Sequence, residues 1–154
     1  MVVYKEVNIS YGHMVEKEPK CGRMHGHNAK VEVWVEIPRL DENSMEMNFT
    51  AIGEIVKELD HKFLLPFDTT PWNSTFSSDS VSFDMEGLDG KRKKYKLPRE
   101  DIFFLDVAGQ VTAENIARHI VSRIKDSLKG VNRHIASIKV RVWETSTSYA
   151  EYIS

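Results

Sequence analysis

The stretch NAKVEVWVEI, Asn28–Ile37, fixes the class of fold. Ala29, Val31, Val33, Val35 and Ile37 fall on one side of an extended chain, and Lys30, Glu32 and Glu36 on the other. Strict alternation with β-branched residues on the apolar side is the pattern of a half-buried strand. Pro38 and the polar run at 41–44 end it.

Working outward, Met1–Asn8 reads as an earlier strand. After Asn28–Ile37 comes a helix capped by Asn48 or Thr50, with Ile52, Ile55, Val56, Leu59 and Phe63 as its apolar stripe. Residues 66–80 are rich in Thr, Ser, Pro and Asn and read as loop. Residues 81–105 read as an excursion with a hairpin turning at Leu88-Asp89-Gly90. Thr112 opens a second helix, with Ile116, Ile120, Val121, Ile124 and Leu128 on one side and Gly130 closing it. Ile138, Val140 and Val142 alternate along a third main strand, and a short fourth follows around 149–153. The order strand, strand, helix, insert, helix, strand, strand predicts a single α+β domain: an antiparallel sheet with both helices on one face, and an insert at about 66–105.

The 154 residues suffice for one domain with a respectable core. The 21 basic and 23 acidic residues leave a formal charge of −2, which makes no general electrostatic case for nucleic acid. The apolar runs fall short of a membrane span, and no charged-then-apolar leader is seen, so no membrane partner is expected. A lone cysteine fits a reducing cytoplasm.

That cysteine opens CGRMHGH, Cys21–His27. His25 and His27 are two apart at the start of a strand, so both imidazoles leave the same face. Gly26 keeps the opposite side open to a close backbone approach. If the first two strands pair as a hairpin, His13 in SYGH arrives beside them. Three neutral imidazoles with a free fourth position form a catalytic zinc arrangement, although the donors also admit nickel, copper or iron. A closed Cys-His₃ structural site is the competitor. Cys21, flanked by Lys20 and Arg23, is a plausible base or nucleophile, or else a small core residue.

Asp60-His61 at the first helix end is a possible relay pair, or merely a cap. Glu144, where the third main strand gives way to loop, could grip a planar N–H/NH₂ edge, or be an exposed turn residue. The basic run Lys91-Arg92-Lys93-Lys94 could meet phosphates, or be the solvated side of the hairpin.

In this order, His13, CGRMHGHNAKVEV, ELDHKFL, VTAENIARHI and VRVWETSTSYAEY resemble the 6-pyruvoyltetrahydropterin synthase / 6-carboxytetrahydropterin synthase family over nearly the whole chain. The resemblance implies the tunnelling fold: a four-stranded antiparallel sheet with two helices, assembled into a trimeric barrel, usually doubled to a hexamer, with sites between subunits. It implies that His13, His25 and His27 hold Zn²⁺ and that Cys21 is the proton-abstracting base. Asp60 and His61 would form a proton-transfer pair reaching in from a neighbouring subunit. Glu144 would anchor the pterin ring, with Thr112 close to it. The implied substrate is 7,8-dihydroneopterin triphosphate. The three residues between Cys21 and His25 resemble the 6-carboxytetrahydropterin synthases of the 7-deazaguanine (queuosine or archaeosine) pathway. That choice leaves a pyruvoyl product, an aldolase-like activity on dihydroneopterin, or a zinc-stabilised binding module as rivals. The chain departs from the pattern at Glu46-Met47-Asn48-Phe49, at SYGH, in ETSTSYAEY, and in its longer insert.

Overall fold

The computed structural model describes residues 1–38, 48–129 and 135–154. Two long strands, β1 (Val2–His13) and β2 (His25–Glu36), pair antiparallel in full register, from Val2 opposite Glu36 to His13 opposite His25. Helix α1 (Phe49–Lys57) follows, then β3 (Lys62–Pro66), β4 (Thr75–Phe76), β5 (Ser80–Glu86), β6 (Arg92–Pro98) and β7 (Ile102–Leu105). Helix α2 (Ala113–Ser127), β8 (Ser137–Trp143) and β9 (Tyr149–Ile153) follow, and two short 3₁₀ turns, Thr70–Trp72 and Arg99–Asp101, lie within the insert.

The expected four antiparallel strands are β1, β2, β8 and β9, but the sheet is larger. Its order is β7-β3-β1-β2-β8-β9, and β3 and β7 run parallel to β1. The expectation of four strands is therefore corrected to six. Two causes explain the difference. β1 runs on to His13 rather than ending near Asn8, so its outer edge is free to pair at Tyr11 and Gly12 with Lys62 and Phe63. The added strands, KFLLP and IFFL, each carry an apolar run of only four residues, whose periodicity cannot separate strand from helix. Phe63, read as the end of a helical stripe, stands in β3; α1 closes earlier, at Glu58, and Leu59 is buried beyond it.

The alternation at Asn28–Ile37 does what it predicts. Val31, Val33 and Val35 are fully buried under the helices, together with Ile52, Val56, Ile116 and Ile120. Each such residue contributes about 1.5–3 kcal/mol by leaving water. Both helices start on polar caps. The Asn48 side chain accepts from the Thr50 N–H at 2.8 Å, and that of Thr112 accepts from the Asn115 N–H at 3.4 Å. The sheet's other face is polar and aromatic. There Glu32, only 9% exposed, accepts from Trp143 Nε1 at 2.6 Å and from the Tyr4 hydroxyl at 3.0 Å.

The insert is more than loop and hairpin. The β5–β6 hairpin turns through 87–90, as the Leu88-Asp89-Gly90 signal predicts, with Gly90 at φ 71°. β4 adds to it, making a three-stranded sheet. Trp72, Val81, Phe83 and Met85 join Met14, Leu65 and Ile102 in a second core that seats this sheet near the end of β1. The basic run begins just before exposed β6 at Lys91 and continues along it through Lys94, where charge blunts an open sheet edge. The breaker run at 41–44, Glu46, Met47 and the helix-closing Gly130 lie outside the described residues.

Candidate metal centre and its cavity

Register builds the histidine cluster. His13 faces His25 directly across the β1–β2 ladder, and His27 lies opposite Tyr11, two residues before His13. Gly26 makes the close pairing possible: a Cβ there would stand 2.7 Å from the Tyr11 carbonyl oxygen. The three imidazole centroids are 4.5–5.1 Å apart, and one ring nitrogen from each lies within 4.8 Å of the others.

Backbone carbonyls fix all three tautomers. The Nδ1 atoms of His13, His25 and His27 donate to the carbonyl oxygens of Val111 (2.8 Å), Arg23 (2.7 Å) and Glu144 (3.1 Å). A carbonyl only accepts, so each Nδ1 carries the proton and each Nε2 presents a lone pair. Nε2 of His13 and Nε2 of His25 are buried without a partner, a state that costs about 1–3 kcal/mol per group. Burial lowers the His13 pKa below its ordinary value, helped by the neighbouring imidazoles, which keeps the ring neutral. Converging neutral donors with orphaned lone pairs fit a metal ion. Among the described residues the Cys21 sulfur is not part of that group.

The cluster opens into a cavity of about 410 Å³ whose lining brings together His13, Cys21, His25, His27, Thr112 and Glu144. Cys21 is exposed and sits in a compact turn. Val15 N–H donates to its carbonyl at 2.8 Å, and Gly22 N–H donates to Glu18 O at 2.9 Å. Only glycine fits at 22, because a Cβ would lie 2.5 Å from that Glu18 oxygen. Thr112 contributes from the α2 cap. Glu144 follows β8, with its Oε1 3.8 Å from His13 Nε2 and 3.9 Å from His27 Nε2.

Asp60 and His61 are not in this cavity's lining. They dock on the outer edge of β1, where Asp60 Oδ1 accepts from Ser10 N–H at 2.8 Å and His61 N–H donates to Ser10 O at 2.6 Å. His61 has φ 58°, the left-handed region, which is costly for a non-glycine residue. Its side chain is 83% exposed, with Nδ1 3.2 Å from Asp60 Oδ1. Burial raises the Asp60 pKa, but hydrogen bonds from Ser10 and Lys57 outweigh it and hold the carboxyl below its ordinary value.

Sequence reasoning missed two contributors. Tyr11 reaches Glu144 from inside the sheet, and Val111 orients His13 through its backbone. The i, i+2 spacing of Tyr11 and His13 signals the first. No side-chain signal marks the second.

The family model described as 6-pyruvoyl tetrahydropterin synthase matches residues 2–154. A Pyrococcus horikoshii protein, provisionally named 6-carboxy-5,6,7,8-tetrahydropterin synthase, is 37% identical over 147 residues, covering 96% of this chain and 85% of the relative. The 6-carboxy-5,6,7,8-tetrahydropterin synthase of Aquifex aeolicus is 28% identical, covering 97% and 88%. The chain also shares its fold with the crystal structure of 6-pyruvoyltetrahydropterin synthase from Plasmodium vivax (TM-score 0.75, 19% identity, covering 100% and 98%).

Proposed function

The chain belongs to the 6-pyruvoyl tetrahydropterin synthase family, and from that premise we propose that it is a zinc-dependent lyase converting 7,8-dihydroneopterin triphosphate and water to 6-carboxy-5,6,7,8-tetrahydropterin, acetaldehyde and triphosphate. The observation that carries this reading is the division of labour in one cavity. Three histidines present locked Nε2 lone pairs, while Cys21 lines the same space outside the ligand group. That division favours an open catalytic centre over a closed Cys-His₃ knot in a binding module.

His13, His25 and His27 would hold the zinc, and the bound ion would supply a Lewis acid that acidifies the C–H groups of the substrate's side chain. Cys21, as thiolate, takes a proton from one of them. Glu144 accepts hydrogen bonds from the N–H edge of the pterin ring, and Thr112 donates its hydroxyl hydrogen nearby. Asp60 and His61 of the partner subunit relay protons, a role that suits an exposed imidazole held beside a carboxylate and outside its own subunit's cavity. The reading therefore includes a homo-oligomer, a trimer or a dimer of trimers, with sites between subunits in the tunnelling-fold manner. We assign it to the cytoplasm and to the queuosine or archaeosine pathway.

The carboxy product is favoured by the three-residue gap between Cys21 and His25 and by the names of the relatives. The test is incubation of zinc-loaded protein with 7,8-dihydroneopterin triphosphate and mass analysis of the products. Acetaldehyde with the 6-carboxy pterin is expected. A 6-pyruvoyl product would move the protein to the tetrahydrobiopterin-type reaction. Glycolaldehyde from unphosphorylated dihydroneopterin as the main product would make it an aldolase.

A further inference from the structure

Tyr11 has none of the roles assigned above, yet it is the residue that holds Glu144. It projects from β1 on the same face as His13 and lies opposite His27 in the register. Its side chain is buried, with ring centroids 5.3 Å from His13 and 5.8 Å from His27. Its hydroxyl donates to Glu144 Oε1 at 2.8 Å. That oxygen is also the one facing the imidazoles, 3.8 Å from His13 Nε2 and 3.9 Å from His27 Nε2. A carboxylate oxygen accepts, so in this pair the phenol hydroxyl is the donor.

A carboxylate has about four lone-pair sites. Tyr11 takes one on Oε1, and Oε2 accepts no hydrogen bond among the described residues, so it is available to a ligand in the cavity that Glu144 lines. The contact spans the sheet: Tyr11 is on β1 and Glu144 follows β8, with β2 between them. The anchor is thus tied to the strand that carries His13 rather than left to the loop that follows it.

We infer that Tyr11 is a positioning residue for Glu144, its hydroxyl fixing the histidine-side oxygen so that the carboxylate meets the N–H edge of a pterin-type ring in a single orientation. This rests on the reading of Glu144 as the ring anchor.

Tyr11→Phe keeps the ring and removes the hydroxyl, so a packing role alone leaves it unchanged. The probe is 7,8-dihydroneopterin, titrated calorimetrically into zinc-loaded protein. Tyr11→Phe is expected to weaken binding about 10-fold, the scale of one charge-assisted hydrogen bond. Glu144→Gln is expected to weaken it more, and adding Tyr11→Phe to that variant to cost less than about 2-fold. In turnover the Tyr11→Phe loss is expected in KM, because the ring is held alike before and during the chemistry. Zinc content and melting temperature, measured alongside, are expected to match the parent. Unchanged probe binding in Tyr11→Phe, an equal loss with and without Glu144, a fall in kcat alone, or loss of zinc each overturns the inference. If Glu144→Gln weakens binding and Tyr11→Phe does not, only the Tyr11 role falls. If Glu144→Gln binds as the parent does, the anchor reading fails and the Tyr11 role with it.

Discussion

His13 Nδ1 donates to the carbonyl oxygen of Val111, 2.8 Å away and 98 residues further along the sequence. The bond ties the segment that enters α2 to the end of β1, and it decides which nitrogen of His13 faces the cavity. The orientation of the histidine cluster therefore depends on backbone that is remote in sequence from all three imidazoles.

Replacing a ligand should cost more than disturbing its support, and support alone is worth about 10–100-fold in metal affinity or activity. His25→Ala is expected to purify with zinc well below stoichiometric and to lose turnover by more than about 100-fold. Metal analysis and product formation check this together. Full zinc occupancy in that variant would remove His25 from the site.

Cys21 lies outside the ligand group, so Cys21→Ala should keep its zinc. Turnover should fall by about 10²–10⁴-fold, the usual contribution of a positioned proton acceptor. Loss of zinc along with the thiol would revive the closed Cys-His₃ site.

The separation of Asp60 and His61 from the cavity of the chain that carries them gives a mixing test of the proposed assembly. In the proposed oligomer, Cys21→Ala and His61→Ala proteins, each expected to be strongly impaired, should regain part of the parent activity when unfolded together and reassembled, because some sites then draw both intact residues from different subunits. Reassembly of the parent under the same conditions gives the reference. Full reassembly without recovery would place the pair's role within one subunit.

His119 on α2 is 2% exposed, and its Nδ1 accepts the Asp106 N–H at 3.0 Å. Burial, with a further push from Arg123, lowers its pKa to about 4. The unfolded protein, with an ordinary value of about 6.5, binds the proton first. Stability from neutral His119 is therefore fully present above about pH 6.5 and lost as pH falls towards 4, with an upper bound of about 3 kcal/mol. Urea midpoints of metal-free protein between pH 4 and 7 should fall less steeply for His119→Gln than for the parent. Equal slopes would show that His119 does not carry this dependence.

Much of this was legible in the residues. Val31, Val33 and Val35 announce a strand buried on one face, Asn48 and Thr112 announce helix starts, and His25 and His27 at strand spacing announce paired imidazoles. β3 and β7 were not legible, because four apolar residues carry no usable period. Nor was the Val111 carbonyl, since any residue would offer the same backbone oxygen there. His61 hides its conformation as well. Its left-handed φ accompanies its docking on Ser10, and no residue pattern around it marks the turn.

His13 and His25 are cross-strand partners at the loop end of the β1–β2 hairpin, and Cys21 sits in the segment between them. An ion bound to both is a clasp across the base of that segment, shortening the free stretch on which the thiol rides. Demetallation should therefore loosen the thiol as well as remove the Lewis acid. The alkylation rate of this single cysteine would then gauge the fraction of chains that carry metal.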